Sequence, residues 1–171
     1  MEFFNALSAR HSIRAYADIP VEEEKLDQIL ETVNQAPSAG NLQAYEVYVV
    51  TRAAQRKELA AAALGQNFIA QAPISLIFCA HAARSAEKYK QRGVDLYCLQ
   101  DATIACTYAM LAATALGLST VWVGAFDESK VSNIINAPKV HRPVAILPIG
   151  YAAEEPRIKG RRSLSDLVHK V

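Results

Sequence analysis

Cysteine is scarce in this chain, and no pattern puts it to structural use. Cys79, Cys98 and Cys106 are its three thiols. An odd number without a C-x-x-C pair indicates neither a disulfide framework nor a zinc site. Cys79 lies in an apolar run and reads as a small core residue. His81, His141 and His169 show no metal-ligand spacing with one another or with the cysteines, so they read as surface or loop residues and no metal is expected. Excess charge is lacking as well. The 18 Lys and Arg nearly balance the 17 Asp and Glu, leaving a formal net charge of +1. Such a balance gives no reason to expect nucleic acid or an anionic membrane as partner. The opening residues, Met1-Glu2-Phe3-Phe4-Asn5, lack the basic stretch and long apolar run of a signal peptide, and a cytoplasmic protein is the simplest reading. No Gly-rich fingerprint follows a strand, as an adenine dinucleotide site would require. No repeat, low-complexity tract or linker divides residues 1–171, so one domain is expected.

What is present suits a globular core. Hydrophobic residues make up 51% of the chain and charged residues 20%, which excludes disorder as the main state. Leu26, Ile29, Leu30 and Val33 fall at helical spacing behind Pro20 and an acidic first turn of Glu22, Glu23 and Glu24, predicting a helix that ends near Pro37. Residues 46–51 predict a strand through their β-branched and aromatic content, 55–64 a helix, and 74–80 a buried strand. Val121-Trp122-Val123 and residues 144–149 predict two more strands, and residues 163–168 a short helix or docking tail. The stretch 95–116 predicts a long helix that carries no charge from Ala102 onward. Its uncharged part is about fifteen residues against the roughly twenty that a membrane span needs. A helix apolar on every face must be enclosed by protein. A chain this small struggles to enclose one alone, which favours dimerisation through it.

Three clusters carry the chemistry. Arg10-His11-Ser12-Ile13-Arg14 supplies two guanidinium groups with a hydroxyl between them, and Lys159-Gly160-Arg161-Arg162 supplies three cations near the other end. Two basic clusters on a nearly neutral chain suggest a specific anion, since planar guanidinium forks suit phosphate and carboxylate oxygens. In isolation, Ser12 also reads as a helix cap, the arginines as solvated surface, and the second cluster as a basic tail. Pro37-Ser38-Ala39-Gly40-Asn41-Leu42-Gln43 is rich in small residues, so a flat ligand could approach its backbone, with amides at Asn41 and Gln43 to read a polar edge. The same residues equally suit a helix stop and a turn. Gly124 and Ala125, after Trp122, suit a strand end or a turn capped by Asp127.

The order of these motifs, with Gln100-Asp101 opening the alanine-rich helix, then Leu116-Gly117-Leu118 and Trp122-Val123-Gly124-Ala125-Phe126, resembles the flavin-dependent nitroreductase family from Arg10 to about Val168. The resemblance implies a three-layer α+β fold: a mainly antiparallel sheet flanked by helices, with a long buried central helix at a homodimer interface. It implies FMN as cofactor and NADH or NADPH as electron donor. Arg10 and Ser12 would hold the phosphate and ribityl chain with Lys159 and Arg161, Arg162 standing beside them as a substitute. Arg14 would lie near the pyrimidine edge of the ring, tuning it, with His11 in contact. The loop residues Pro37, Ser38, Ala39, Asn41 and Gln43 would come from the neighbouring subunit, Gln66 or Asn67 would reach the pyrimidine carbonyls, and a backbone amide at Gly124 or Ala125 would meet flavin N5. No side chain is expected to be catalytic in its own right. The implied function is reduction of nitroaromatic, quinone or similar acceptors by ping-pong hydride transfer. The alternatives are a non-catalytic flavin-binding sensor or carrier, or specialised chemistry such as reductive dehalogenation. Two departures stand out. Ala44-Tyr45 replaces the commoner Pro-Trp after the loop. The short stretch 81–94 and the end at Val171 imply an open pocket and a less entwined dimer.

Overall fold

The computed structural model describes residues 2–171. Its centre is β2 (Ile74–His81), whose residues 74–80, apolar except for Ser75, are buried on both faces. It pairs antiparallel with β1 (Tyr45–Val50) on one side and with β4 (His141–Gly150) on the other. The two-residue β3 (Ser119–Thr120) completes the order β1-β2-β4-β3. Alternate side chains then serve two layers. Leu76, Phe78, Leu147 and Ile149 pack with α2 (Glu23–Asn34) and α6 (Cys98–Ala115). Ile77, Cys79 and Ile146 pack on the opposite face with Leu59 of α3 (Ala53–Ala62), Ile69 of α4 (Phe68–Gln71) and Val131 of α7 (Glu128–Ile134). This is the three-layer α+β arrangement expected. Burial pushes the Cys79 thiol up to about 12, which leaves it an inert core residue.

Ala102, Ala105, Ala109 and Ala113 of α6 are fully buried, because small side chains let the helix lie close against sheet and α2. Its other side is not enclosed: Thr103 and Thr107 are exposed, and Ile104, Tyr108 and Leu111 are half-covered. Beside this open face lies α1 (Phe3–Ala9), with Phe3 63% and Phe4 77% exposed. The short stretch after β2 holds a full helix, α5 (Ala82–Arg92), which passes through a π-helical turn at Gly93–Tyr97 into α6. The long helical region therefore begins before residue 95. Near the C-terminus α8 (Leu164–Leu167) is the short helix anticipated.

One expected strand is corrected. Val121-Trp122-Val123 do not form a strand; β3 ends at Thr120, and only Val123 rejoins β4, through paired 3.0 Å bonds with Ile146. The carbonyl of Thr120 accepts from the Ile13 amide at 3.1 Å, so the chain changes neighbours at this point. Val121 and Val123 still enter the core, which is the signal their hydrophobicity carried.

Candidate functional site

Residues 12–17 have no helical periodicity and run extended between two parts of the sheet. Ser12 bridges Thr120, and Tyr16 bridges Ala152. Ala17 donates to the Tyr151 carbonyl and Ala153 donates to that of Ala15, each at 2.9 Å. The closeness is sharp at Gly150, where a Cβ would lie 2.7 Å from Pro73 and 3.1 Å from the Tyr16 ring. This pairing carries the N-terminal basic cluster onto the C-terminal one. Together they line a cavity of about 280 Å³ with Arg10, His11, Ser12, Arg14, Arg157, Lys159 and Arg161 on its walls. Glu154 lines it too, but its carboxylate accepts the Arg14 backbone N–H. Among the described residues, none of the five cations forms an ion pair with a carboxylate. Five cations against one carboxylate leave a net positive charge that a bound anion neutralises, and fork-shaped donors with a hydroxyl suit a phosphate monoester.

Two details differ from the sequence reading. Arg162 does not substitute for its neighbours, because Nε bonds Asp166 Oδ2 at 2.6 Å and Nη2 bonds the Asp166 carbonyl at 2.8 Å. Arg157 joins the cavity instead; three basic residues in the five positions 157–161 were the available signal.

The loop after α2 is held in a strained form. Gly40, Asn41 and Gln43 have φ of +58°, +58° and +44°, a region that costs free energy for residues with a Cβ and recurs at functional positions. A Cβ on Gly40 would lie 2.5 Å from Tyr89 Oη and 2.8 Å from Lys88 Nζ, so α5 presses on the loop from outside. From inside, the Ala39 amide donates to Asp101 Oδ1 at 2.9 Å and the Ala44 amide to Oδ2 at 3.4 Å. The Gln43 amide donates to Ser38 Oγ, and Gln43 Nε2 to Asn41 Oδ1 at 2.6 Å. Asp101 is 2% exposed and is the one buried charged side chain among the described residues. The sequence marked it only as a helix opener; a lone acid in an otherwise apolar helix was the clue to its role. Pro37, Ser38 and Ala39 line a separate hollow of about 590 Å³ with Tyr97, Leu99 and Ile104. That hollow shares no lining residue with the cationic cavity. Within one chain, the loop and the basic clusters are not brought together.

Two of the remaining candidates meet after β3, near where Val123 rejoins β4. Gln66 Nε2 donates to the Ala63 carbonyl at 2.9 Å and to that of Ala125 at 3.1 Å. The side-chain nitrogen is thereby spent on tying two turns together. Asn67 is exposed at the start of α4 and makes no capping bond. Gly124 and Ala125 are exposed, and Asp127 caps α7 through the Lys130 amide at 3.0 Å, so the capped-turn reading holds at this position.

The histidine reading needs correction. His81 and His141 are not unrelated surface residues but direct partners across β2 and β4. Pairing between strands distant in sequence leaves no trace in local spacing.

Fold and site define an α+β protein with a cationic cavity assembled from its two ends and a strained loop pinned to its central helix. The Nitroreductase family model matches residues 7–151, and the chain belongs to that family. A relative from Bacillus subtilis (strain 168), named FMN reductase (NAD(P)H), is 36% identical over 173 residues, covering 94% of this chain and 70% of its own. An oxygen-insensitive NADPH nitroreductase of Salmonella typhimurium (strain LT2) is 28% identical over 171 residues, covering 96% and 71%. Among solved structures, B. megaterium NfrA2 superposes with a TM-score of 0.92 at 30% identity, covering 99% of this chain and 74% of that one.

Proposed function

We propose that this chain is an FMN-dependent NAD(P)H oxidoreductase, a single-domain cytoplasmic homodimer that reduces nitroaromatic, quinone or similar acceptors, donor and acceptor using one cavity in turn. The observation that carries the reading is the cationic cavity, whose arginines and lysine lack carboxylate partners and fit the phosphate of FMN. Family membership and the relatives' names support FMN and NAD(P)H. When bound, the flavin supplies the two-electron redox chemistry, and no side chain need act as nucleophile or base. Arg10, Ser12, Lys159 and Arg161 bind the phosphate, with Arg157 as a fifth donor group. Arg14 brings positive charge to the polar edge of the ring and His11 contacts it. Gln66 fixes the Ala125 carbonyl, which orients the backbone at Gly124 and Ala125. No helix among the described residues is long and apolar enough to cross a membrane.

The homodimer rests on the open face of α6. Phe3, Tyr108, Leu111 and Ala115 line an apolar hollow of about 500 Å³ on this side, which a second copy would cover. The same association would bring the loop 37–43 of one protomer to the cationic cavity of the other, uniting groups that lie apart within one chain. Sedimentation at micromolar concentration should give a stable dimer; a flavin-loaded monomer would show that the loop does not act in trans.

The purified protein should be yellow and release FMN, not FAD, on denaturation. Its visible absorbance should bleach within seconds of adding NADH or NADPH under nitrogen and return on adding a quinone. A colourless protein that takes up no added FMN would overturn the reading. Bound flavin that resists both donors would instead leave a flavin carrier or sensor.

A further inference from the structure

At the end of β4 far from the cationic cavity, three adjacent strands converge on a cluster that the oxidoreductase reading does not use. His141 and Gly150 bound β4, which separates the two places by about 30 Å at the rise of an extended strand. The side chains of Glu46 on β1, His81 on β2 and His141 on β4 meet on one face. The imidazole rings sit edge to face with centroids 4.7 Å apart. His81 Nδ1 lies 3.0 Å from Glu46 Oε1, and His141 Nε2 lies 4.0 Å from the same oxygen. One donor atom from each residue falls within 4.8 Å of the others. A tetrahedral zinc ion with bonds of about 2.0–2.1 Å sets its ligands roughly 3.3 Å apart, so side-chain shifts of about 1 Å would close the set around an ion.

We propose that Glu46, His81 and His141 form a binding site for one divalent cation of the zinc class, with Tyr48 orienting His141. Tyr48 Oη lies 2.6 Å from His141 Nδ1. That contact occupies one ring nitrogen and leaves Nε2 facing the carboxylate, the arrangement by which metal-binding histidines are commonly held. Two imidazoles and a carboxylate are a donor set that zinc favours, and a water would take the fourth position. The side chains of His81, His141 and Glu46 are 19%, 16% and 34% exposed, so an ion can enter from solvent without the core opening. Arg84 on α5 places a positive charge near His141, which repels a metal ion and weakens the site. The His81 amide also donates to the Ala44 carbonyl at 2.9 Å, which joins the cluster to the base of the strained loop.

The test is calorimetric titration of the flavin-loaded protein, stripped with EDTA and dialysed, with zinc chloride. One ion per protomer should bind at low micromolar concentration. His81→Ala and Glu46→Gln should each weaken binding at least a hundredfold. Tyr48→Phe should weaken it about tenfold, in the range seen when groups supporting metal ligands are removed. Arg84→Ala should tighten it and His169→Ala leave it unchanged. Zinc-edge X-ray absorption on the unmutated protein provides a second readout that needs no variant to fold: two imidazoles with oxygen ligands support the site. No binding at 100 micromolar zinc (~30-fold above the expected range), a sulfur ligand at about 2.3 Å, or unchanged affinity in folded His81→Ala would overturn it.

Discussion

Replacing both Arg10 and Arg161 with alanine should leave a protein that no longer retains FMN through gel filtration while riboflavin affinity changes little. Both side chains line the one cavity and neither is neutralised by a carboxylate among the described residues. A charge-assisted hydrogen bond is worth about 1.5–3 kcal/mol, roughly tenfold to a hundredfold in affinity per arginine. The two losses should add imperfectly, since both groups grip one anion. Riboflavin lacks the phosphate and so senses neither change. Raising the ionic strength should shrink the difference between FMN and riboflavin in the unmutated protein, because the cavity is open to solvent and its field is screened. A second sign separates this from simple unfolding. Removing cations that repel one another should raise the melting temperature of the flavin-free protein, even as flavin no longer raises it further. Equal weakening of FMN and riboflavin would mean these arginines do not hold the phosphate.

Asp101→Ala should be the most damaging single substitution in the loop region. Its carboxylate is buried and accepts from the amides of Ala39 and Ala44. Alanine would strand both donors, at about 1–3 kcal/mol for each buried group left unpaired. For a domain of this size, 1 kcal/mol is roughly 2–4 °C in melting temperature, so the fall should be several degrees to well over ten. Flavin affinity should drop as well, because Gly40, Asn41 and Gln43 keep their left-handed backbone only while the surroundings impose it. Asp101→Asn retains one acceptor oxygen and should recover part of both losses. Thermal melts with and without FMN decide the matter. An Asp101→Ala protein with unaltered melting and flavin affinity would show that the loop is fixed from the α5 side alone, through Tyr89 and Lys88.

Much of the architecture was legible because it is written in local periodicity. The buried β2 strand, the amphipathic α2 and the charge-poor α6 each follow from their own residues. The motif order also assigned Arg10, Lys159 and Arg161 to the phosphate and Arg14 to the ring edge of one ligand, and the fold does bring those four to one cavity. What could not be read depends on partners that a segment's own periodicity does not mark. Trp122 and its neighbours look like a strand until Ile13 takes the Thr120 carbonyl. His81 and His141 look isolated until β2 and β4 pair. Arg162 looks equivalent to Arg161 until Asp166 captures it one helical turn away. Asp101 looks like a dipole-matching acid until the loop donates to it. Arg162 apart, whose partner lies four residues on, the deciding energy is a hydrogen bond or strand pairing whose second member has no fixed offset in sequence.

The joining of residues 12–17 to residues 151–153 gives the cationic cavity a further property: it exists only when nearly the entire chain has closed on itself. An anion seated between Arg10 and Arg161 acts as a reversible cross-link across that closure. Because the unfolded chain offers no such pair of walls, occupancy stabilises the folded form by mass action, about 2.7 kcal/mol when free ligand is a hundred times its dissociation constant. Cofactor supply and resistance to unfolding are thus coupled through the two ends of the polypeptide, and starvation for the flavin should be felt first as susceptibility to proteolysis at those ends.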